Sequence, residues 1–300
     1  FPKDGWILQN MGEQLVARIP GAVTFRHDDP TIWVDGGPLD QPGQVNYFIN
    51  YAVMKRSTAG IDVALFTHPE EQGQLAGLFW KIAQQVDMPI CMTEKYVEKL
   101  LVRGIKSTYI IPGVDPKFTP KLYLAFIGRY GSYGARKGSD LIDRISRLPY
   151  VEIIATQGPV SAENLPSIYQ YVDYTLVASR YEGGPLCLLE SLACGRKVIM
   201  PKDVGLACHF SEQIIPYEVG NYESLKAVVD KLFEKKRRLA EAVAPYTWDA
   251  WAENHIRLFA KLKRNISPEI RDNSIDKILN PESCKVKNDQ EIYNSKTENT

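Results

Sequence analysis

Residues 174–195 read YTLVASRYEGGPLCLLESLACG, and this stretch decides the fold. Its first part, Tyr174 to Ala178, is short, apolar and β-branched, which predicts a buried strand. The apolar spacing from Leu186 to Cys194 predicts a helix, and Pro185 suits its first position. A strand followed at once by a helix is typical of a parallel α/β sheet. The free N–H groups at the start of such a helix attract phosphate.

Two acids, Glu182 and Glu190, flank the start of this helix and stand eight residues apart. Carboxylates suit sugar hydroxyls because both oxygens accept hydrogen bonds. We therefore expect Glu190 to bind a ribose diol and Glu182 to bind hydroxyls of a sugar, while Gly183 and Gly184 let the backbone approach the ligand. The alternative is one capping acid and one surface acid. The position at the carboxyl end of a strand, where open α/β sheets bind ligands, favours the site.

The same alternation of strand and helix surrounds this stretch and predicts a Rossmann-like domain over residues 121–246. Its other predicted strands are Leu124–Gly128, Val151–Ala155 and Lys197–Pro201. Its other predicted helices are Asp140–Arg147, Leu165–Val172 and Tyr222–Val243. The basic run 235–238 on the last helix is interpreted as a solvated face, with attraction to a membrane surface as the alternative.

Residues 1–115 predict a second, smaller Rossmann-like domain. The predicted helices are Trp6–Arg18, Val45–Lys55 and Gln74–Gln85, and the predicted strands are Ala22–Phe25, Val63–Thr67, Ile90–Thr93 and Ser107–Ile111. No opening strand is predicted before the first helix. The prolines of 112–121 predict a hinge, and two such lobes predict a cleft. Residues 265–300 are polar and are expected to be disordered or a linker.

Composition narrows the classes of function. Lys+Arg and Asp+Glu both total 36, so net charge gives no reason to expect nucleic acid. The five cysteines are scattered and form no Cys-x-x-Cys pair, which argues against zinc and for a reducing compartment. No apolar run long enough for a membrane span and no signal peptide are found in the sequence. We therefore expect a cytoplasmic protein.

The stretch 182–190 resembles the acid-x7-acid signature of family 4 retaining glycosyltransferases, also called glycosyltransferase group 1, in its EGGP variant. Further segments of the chain resemble that family in order and spacing: IIPGVD at 110–115, FIGR at 126–129, RKG at 136–138, the helix 165–173 and Thr247-Trp248. The resemblance implies a GT-B fold of two Rossmann-like domains facing a cleft. It also implies that a final helix, residues 247–264, returns to the N-terminal domain.

The resemblance implies a retaining transfer of sugar from a nucleotide-diphosphate-sugar donor to an acceptor hydroxyl, in glycan or polysaccharide biosynthesis. Arg129 and Lys137 would hold the diphosphate. The full set of donor-binding residues would be Gly128, Arg129, Lys137, Glu182, Gly183, Gly184, Pro185, Leu186 and Glu190. No Asp-x-Asp motif occurs, so we expect no metal and no other cofactor, and catalysis by fixed charges instead.

The resemblance also places a histidine near the donor sugar, and His68 follows a predicted strand at the comparable position. The catalytic set would then be His68, Glu182, Arg129 and Lys137. A structural cap is the alternative for His68. His27, with Asp28 and Asp29 behind it, lacks a third ligand at a sensible spacing and is interpreted as a loop.

Three acceptor classes stay open: a glycan, a lipid-linked glycan, which would bring peripheral membrane association, and a small molecule. Two alternatives to a transferase also stay open. One is another GT-B enzyme such as an epimerase or a phosphorylase. The other is a non-catalytic sugar-nucleotide-binding module of a larger multidomain protein.

Overall fold

The computed structural model describes residues 7–68, 72–128, 134–156 and 160–266. The chain divides into two compact units. Unit 1 is drawn from residues up to Asp115 and from Tyr246 onward, and unit 2 runs from Pro116 to Pro245. Each unit contains its own parallel β-sheet, so the predicted α/β fold class is confirmed.

Unit 1 is built on four parallel strands in the order β1-β2-β3-β4. The strands are β1 (Val45–Phe48), β2 (Ile61–Phe66), β3 (Met88–Cys91) and β4 (Thr108–Tyr109). The helices of its first part are α1 (Ile7–Val16), α2 (Gln74–Gln85) and α3 (Glu94–Val102), with 3-10 turns at Pro30–Trp33 and Tyr51–Val53.

Three expectations for this unit were wrong or incomplete. The predicted helix Val45–Lys55 is strand β1 followed by a 3-10 turn, because burial alternates along β1 and Asn46 and Phe48 face inward. The predicted strand Ala22–Phe25 is a loop whose apolar side chains, Val23 and Phe25, are exposed and join no sheet. Helix α3 was not predicted. Strand β1, which follows α1, forms one edge of the sheet.

Unit 2 is built on five parallel strands in the order β6-β5-β7-β8-β9. The strands are β5 (Leu122–Phe126), β6 (Val151–Ala155), β7 (Tyr174–Leu176), β8 (Val198–Pro201) and β9 (Ile214–Tyr217). The helices are α4 (Gly134–Lys137), α5 (Ser139–Ser146), α6 (Leu165–Tyr171), α7 (Leu186–Ala193) and α8 (Tyr222–Glu241), with a 3-10 segment at Gly205–Phe210. The predicted elements of this unit are present, and β9 is an addition.

Both faces of the second sheet are covered. Helices α5 and α8 bury Leu141, Ile145 and Leu225 against one face, and α7 buries Leu188 in a separate apolar cluster with Val198. Burial on both faces explains why the strands read as continuous apolar runs in the sequence.

The strand order reverses direction at β5, which pairs with β6 on one side and β7 on the other. In doubly wound sheets, ligands bind outside the carboxyl ends of the strands at this switch point. Strands β5 and β7 end at Phe126 and Leu176. The described residues that follow them, 127–128, 134–138 and 177–185, therefore occupy the place where the fold itself favours a ligand.

Helix α9 (Trp248–Ile266) returns the chain to unit 1, which confirms the predicted return of the final helix. Trp251 is 1% exposed and packs in one cluster with Met11 of α1 and Val63 of β2. The chain enters this helix beside Gly113, where a Cβ atom would lie 2.4 Å from the backbone nitrogen of Trp248. Only glycine permits that approach.

Among the described residues, no helix combines the length and the apolar character needed to cross a lipid bilayer.

Candidate functional site

The side chain of Glu182 lies at the switch point and accepts hydrogen bonds from the short helix α4 and from its own loop after β7. Its Oε1 accepts hydrogen bonds from Arg136 Nη1 at 3.0 Å and from Ser179 Oγ at 3.0 Å, and a third from Lys137 Nζ. The Glu182 side chain is 12% exposed and that of Lys137 20%. All three donors meet Oε1, and no described residue donates to Oε2. The second oxygen is therefore available to a ligand.

The ionisation of Glu182 follows from these contacts. Burial alone would raise its pKa, but the hydrogen bonds from Lys137 and Ser179 and the charges of Lys137 and Arg136 outweigh burial and lower the pKa below its usual value. Glu182 is thus a carboxylate at neutral pH. It can accept hydrogen bonds from hydroxyl groups but cannot donate a proton there.

Arg180 fixes the two loops relative to each other. Its guanidinium forms a bidentate pair with Asp140, at 2.9 and 2.8 Å, and also donates to the carbonyl of Ala135 at 2.6 Å. Its backbone N–H donates to the carbonyl of Arg136 at 2.9 Å. The hydrogen bond from Arg180 lowers the pKa of Asp140. Bidentate pairs hold both partners in one plane, so the backbone that carries Arg136 and Lys137 is held beside the backbone that carries Glu182.

Gly138 makes the same contact possible from the other side. It has φ +71°, and a Cβ atom on it would lie 2.1 Å from the carbonyl oxygen of Ala178. Both the left-handed conformation and the close approach demand glycine. The glycine of the RKG segment is therefore explained by packing of the loop after β5 on the loop after β7.

The start of α7 differs slightly from the prediction that Pro185 is the first residue of the helix. Pro185 is the N-cap, with φ −69° and ψ 110°, and the helix begins at Leu186. The extended ψ places Pro185 just outside the helix, whose first turn follows it. Leu186 is 69% exposed.

Gly183 and Gly184 precede this helix start. A Cβ atom on Gly183 would meet nothing within 4 Å, and one on Gly184 would make only ordinary contact with Leu206. Neither glycine is required by the protein's own backbone or packing. Their assignment to donor binding stays a prediction.

Glu190 lies on α7 and receives a hydrogen bond at Oε2 from the hydroxyl of Tyr169, at 2.6 Å. Tyr169 is on α6 and is 1% exposed. Burial, together with the neighbouring carboxylate, raises the pKa of Tyr169 well above its ordinary value. The tyrosine is thus a permanent donor that holds one carboxylate oxygen of Glu190 in place.

Gly128 lies two residues after β5, and its N–H donates to Thr156 Oγ1 at 3.0 Å. Thr156 follows β6 and is buried, so it fixes the backbone at Gly128, which the resemblance assigns to the donor. Arg129, which the resemblance assigns to the diphosphate, lies outside the described residues.

His68 lies in unit 1, two residues after the end of β2. It is exposed, and its Nδ1 lies 2.8 Å from Thr67 Oγ1. His68 thus belongs to unit 1, whereas the cluster around Glu182 belongs to unit 2. His27 lies in a loop, as expected, where Asp28 pairs with Arg26 and Asp29 caps the turn at Pro30–Trp33.

Within the described ranges, no three His, Cys, Asp or Glu side chains converge as metal ligands would.

The basic run 235–238 is not uniformly a solvated face. Lys236 is half-buried and donates to Asp173 at 2.6 Å and to the carbonyl of Lys121 at 2.8 Å. Arg237 pairs with acids on its own helix, Glu234 and Glu241. Much of the positive charge of this run is therefore compensated within unit 2.

Four contributors were not among the predicted site residues: Arg136, Ser179, Arg180 and Tyr169. Arg136 and Lys137 are adjacent, and Ser179 and Arg180 directly follow the predicted strand 174–178, so their place at a strand end was a usable signal. Tyr169 gave no such signal, because its contact with Glu190 joins two helices.

Residues 114–249 match the family model described as glycosyl transferases group 1. This stretch covers the whole of unit 2 and includes Lys137, Glu182 and Glu190. No curated protein matches the chain. The match supports glycosyl transfer as the activity.

Three solved structures are similar to the chain at low identity. A sucrose-phosphate synthase from Thermosynechococcus elongatus is 16% identical over 73% of this chain and 73% of its own, with a TM-score of 0.29. The GtfA/B complex is 15% identical over 74% of this chain and 58% of its own, with a TM-score of 0.28. The lipopolysaccharide outer core galactosyltransferase WaaB is 14% identical over 67% and 69%, with a TM-score of 0.32. These scores are too low to carry an argument about the site.

Proposed function

We propose, from the match of residues 114–249 to glycosyl transferases group 1, that the chain transfers a sugar from a nucleotide-diphosphate-sugar to an acceptor hydroxyl with retention of configuration. One observation carries the proposal. Lys137 and Glu182, assigned separately to the diphosphate and to the sugar, meet at the switch point of the second sheet. A diphosphate and the sugar attached to it need such neighbouring partners.

The leaving group of this reaction is a nucleoside diphosphate, which gains negative charge as the glycosidic bond breaks. Lys137 and Arg136 supply fixed positive charge, and Arg129 is assigned to the same task. The N–H groups at the start of α7 add a partial positive charge. Charges fixed in advance stabilise the transition state without reorganisation, and the proposal includes no metal.

The two acids have different tasks in this mechanism. Glu190, oriented by Tyr169, accepts hydrogen bonds from the ribose diol. Glu182 accepts from hydroxyls of the transferred sugar and positions it. Retention then follows from attack by the acceptor on the face that the phosphate leaves, with a phosphate oxygen taking the acceptor's proton. His68 is assigned to the sugar or the acceptor.

The acceptor is a glycan, a lipid-linked glycan or a small molecule, and the setting is glycan or polysaccharide biosynthesis in the cytoplasm. A lipid-linked acceptor would bring the protein to the membrane surface. The acceptor classes and the biosynthetic setting rest on the family resemblance, and the cytoplasmic location rests on the cysteine pattern and the apolar runs of the sequence.

The test is calorimetry with UDP-, GDP-, ADP- and dTDP-sugars in the presence of EDTA, on the wild-type chain and on Glu190→Ala. We expect one donor to bind without metal and to lose at least about ten-fold in affinity in the variant, since two charge-assisted hydrogen bonds are removed. Glu212→Ala is the matched control, because Glu212 is an exposed acid just before β9, at the amino end of that strand rather than at the carboxyl ends of β5 and β7.

Turnover separates the enzyme from a binding module. Release of nucleoside diphosphate from the bound donor, and an anomeric NMR signal of the product that matches the donor, would support a retaining transferase. Binding without any turnover, with acceptors of all three classes supplied, would indicate a non-catalytic module. If no donor bound, the proposal would be rejected.

A further inference from the structure

Glu182 is hydrogen-bonded to the same cations that the proposed function gives to the diphosphate. Lys137 and Arg136 both donate to its Oε1. Ser179 adds a third, neutral donor to that oxygen. In the structure, Glu182 is thus the counter-ion of Lys137 and Arg136, while the proposed function assigns these cations to the diphosphate and Glu182 to the sugar.

These two tasks conflict when a diphosphate enters. One carboxylate compensates part of the charge of two cations, and a diphosphate brings at least two further negative charges to the same place. The Glu182 side chain is only 12% exposed, so water screens its repulsion with the phosphate less than it would on an open surface. The repulsion is relieved if Glu182 transfers its hydrogen bonds from the cations to another set of donors.

Sugar hydroxyls are such donors. Oε2 of Glu182 already lacks a described donor, and Oε1 would lose one or both cations to the phosphates. A sugar attached to the diphosphate offers hydroxyl groups to both oxygens. A nucleoside diphosphate without its sugar offers none.

We propose that Glu182 is an exchangeable counter-ion that makes the site favour the intact donor over the bare nucleoside diphosphate. It holds Lys137 and Arg136 until the diphosphate takes them, and it then takes the hydroxyls of the sugar. Once the sugar has been transferred, Glu182 again competes with the product diphosphate for hydrogen bonds with Lys137 and Arg136. This competition promotes release of the diphosphate. This inference rests on the proposed function, because it assumes that the anion bound by these cations is a sugar nucleotide's diphosphate.

The experiment is calorimetry of inorganic pyrophosphate and of UDP, GDP, ADP and dTDP, on the wild-type chain and on Glu182→Gln. The variant keeps the shape of the side chain and removes its charge. We expect Glu182→Gln to bind pyrophosphate and the matching nucleoside diphosphate about ten-fold more tightly than the wild type, because a repelling charge near the phosphates is gone. The same variant is expected to bind the intact sugar nucleotide no more tightly than the bare diphosphate.

Three further variants sharpen the result. Glu212→Gln makes the same change in net charge just before β9, away from the carboxyl ends of β5 and β7. This variant is expected to bind pyrophosphate like the wild type. Lys137→Met is expected to lose pyrophosphate binding with or without Glu182. Circular dichroism and thermal unfolding check that each variant folds. If Glu182→Gln does not fold, Glu182→Asp is measured instead, because its shorter side chain moves the carboxylate away from Lys137 and Arg136.

Equal or weaker pyrophosphate binding by Glu182→Gln would overturn the inference, and so would the absence of pyrophosphate binding in every variant. If the wild type transferred sugar while pyrophosphate binding was unchanged in the variant, only the counter-ion role would fail. If pyrophosphate binding tightened but no donor was ever turned over, the counter-ion role would stand and the proposed function would fail.

Discussion

Each unit holds a carboxylate that collects several donors, and the two carboxylates are built differently. Asp62 of unit 1 is 2% exposed and uses both oxygens. Its Oδ2 accepts from the N–H of Thr58 at 2.8 Å and its Oδ1 from the Thr58 hydroxyl at 2.7 Å. Glu182 of unit 2 concentrates three donors on one oxygen and leaves the other open, and two of those donors are cations.

The difference shows how a structural acid and a site acid can be told apart. Asp62 lies where β2 begins, at the amino end of its strand, and its hydrogen bonds close a local loop. Glu182 lies beyond the carboxyl end of β7, where its partners come from a second loop. An acid with both oxygens satisfied by near neighbours stabilises the fold, whereas an acid with an open oxygen and charged partners can exchange hydrogen bonds with a ligand.

The largest effect is expected from separating α4 from the loop after β7, which together form the Glu182 cluster. Gly138→Ala forces a left-handed φ of +71° on alanine and places its Cβ 2.1 Å from the carbonyl oxygen of Ala178. We expect a loss of about 3–5 kcal/mol in the free energy of unfolding, from the sum of the conformational cost and the overpacking. Donor affinity should fall with it.

Gly195→Ala is the control for that experiment, measured by the same denaturant titration. Gly195 also has φ +71°, but a Cβ on it meets nothing within 4 Å. A loss of about 1 kcal/mol is expected there from conformation alone. Equal losses at the two positions would show that the loop contact contributes nothing.

Removing Asp62, the structural acid, tests directly whether the two acids have different roles. Asp62→Ala leaves the Thr58 N–H and hydroxyl without their acceptor, and we expect a loss of about 3 kcal/mol in the free energy of unfolding. Nucleotide affinity of the folded protein should not change. Glu182→Ala should do the reverse, with a loss below about 1 kcal/mol in stability and a large loss in donor affinity.

Chemical denaturation and calorimetry on both variants measure the two quantities. Asp28→Ala is the control for unit 1, because Asp28 forms a surface pair with half-exposed partners and should cost less than about 1 kcal/mol. The distinction between the two acids would be wrong if Asp62→Ala weakened donor binding in the folded protein.

A buried histidine offers a weaker effect confined to unit 1. His255 on α9 is 0% exposed, with Nδ1 at 2.8 Å from the carbonyl of Trp251 and Nε2 at 3.2 Å from the hydroxyl of Tyr47. Burial lowers its pKa from 6.5 to about 4. The unfolded chain therefore binds the proton more readily, and stability that is complete above pH 6.5 is lost progressively as the pH falls towards 4.

Between pH 7 and pH 5 this histidine should account for about 2 kcal/mol of the loss in the free energy of unfolding. Denaturant titrations at both pH values, on the wild type and on His255→Gln, measure its share. His209→Gln, at an exposed histidine of unit 2, should leave the pH dependence as it is in the wild type. A wild-type slope that survives in His255→Gln would assign the pH dependence to other groups.

The smallest predicted effect concerns the second acid of unit 2. Tyr169→Phe removes the hydroxyl that holds Glu190 and should weaken donor binding about five-fold, as expected for the loss of one hydrogen bond to a charged group. Pyrophosphate binding should be unchanged, because Glu190 is assigned to the ribose. Tyr171→Phe changes an exposed tyrosine at the end of the same helix and should alter neither ligand's affinity in calorimetry. A parallel loss of pyrophosphate binding in Tyr169→Phe would point to a structural effect on α7.

Sequence predicted unit 2 better than unit 1 for a physical reason. Strands buried on both faces, such as Val198–Pro201, give unbroken apolar runs that differ from the neighbouring helices. Strand β1 is only four residues long and places the polar Asn46 in the interior, where it bonds to Thr58 and to the carbonyl of Leu39, so its pattern was mistaken for part of a helix. Strand β9, with Pro216 inside it, was missed for a similar reason.

For the site, residue types and a strand end indicated Glu182 and Glu190, and the family resemblance added Lys137. The pairing of Lys137 with Glu182 and of Tyr169 with Glu190 joins residues far apart in the chain, and no local pattern specifies it. The role of Arg180 likewise becomes visible only when Asp140 is seen beside it.

Because α9 is synthesised after unit 2, the core of unit 1 is completed late during translation. Trp248 and Trp251 belong to the core of unit 1, yet the ribosome reaches them only after the whole of segment 116–245 has been synthesised. At about 5–20 residues per second that takes on the order of ten seconds. Throughout that time the apolar cluster around Val63 and Ile90 lacks the side chains of α9 that pack on it. The chain of unit 2 is already complete by the end of that time. The nascent first unit is therefore a natural client for chaperones.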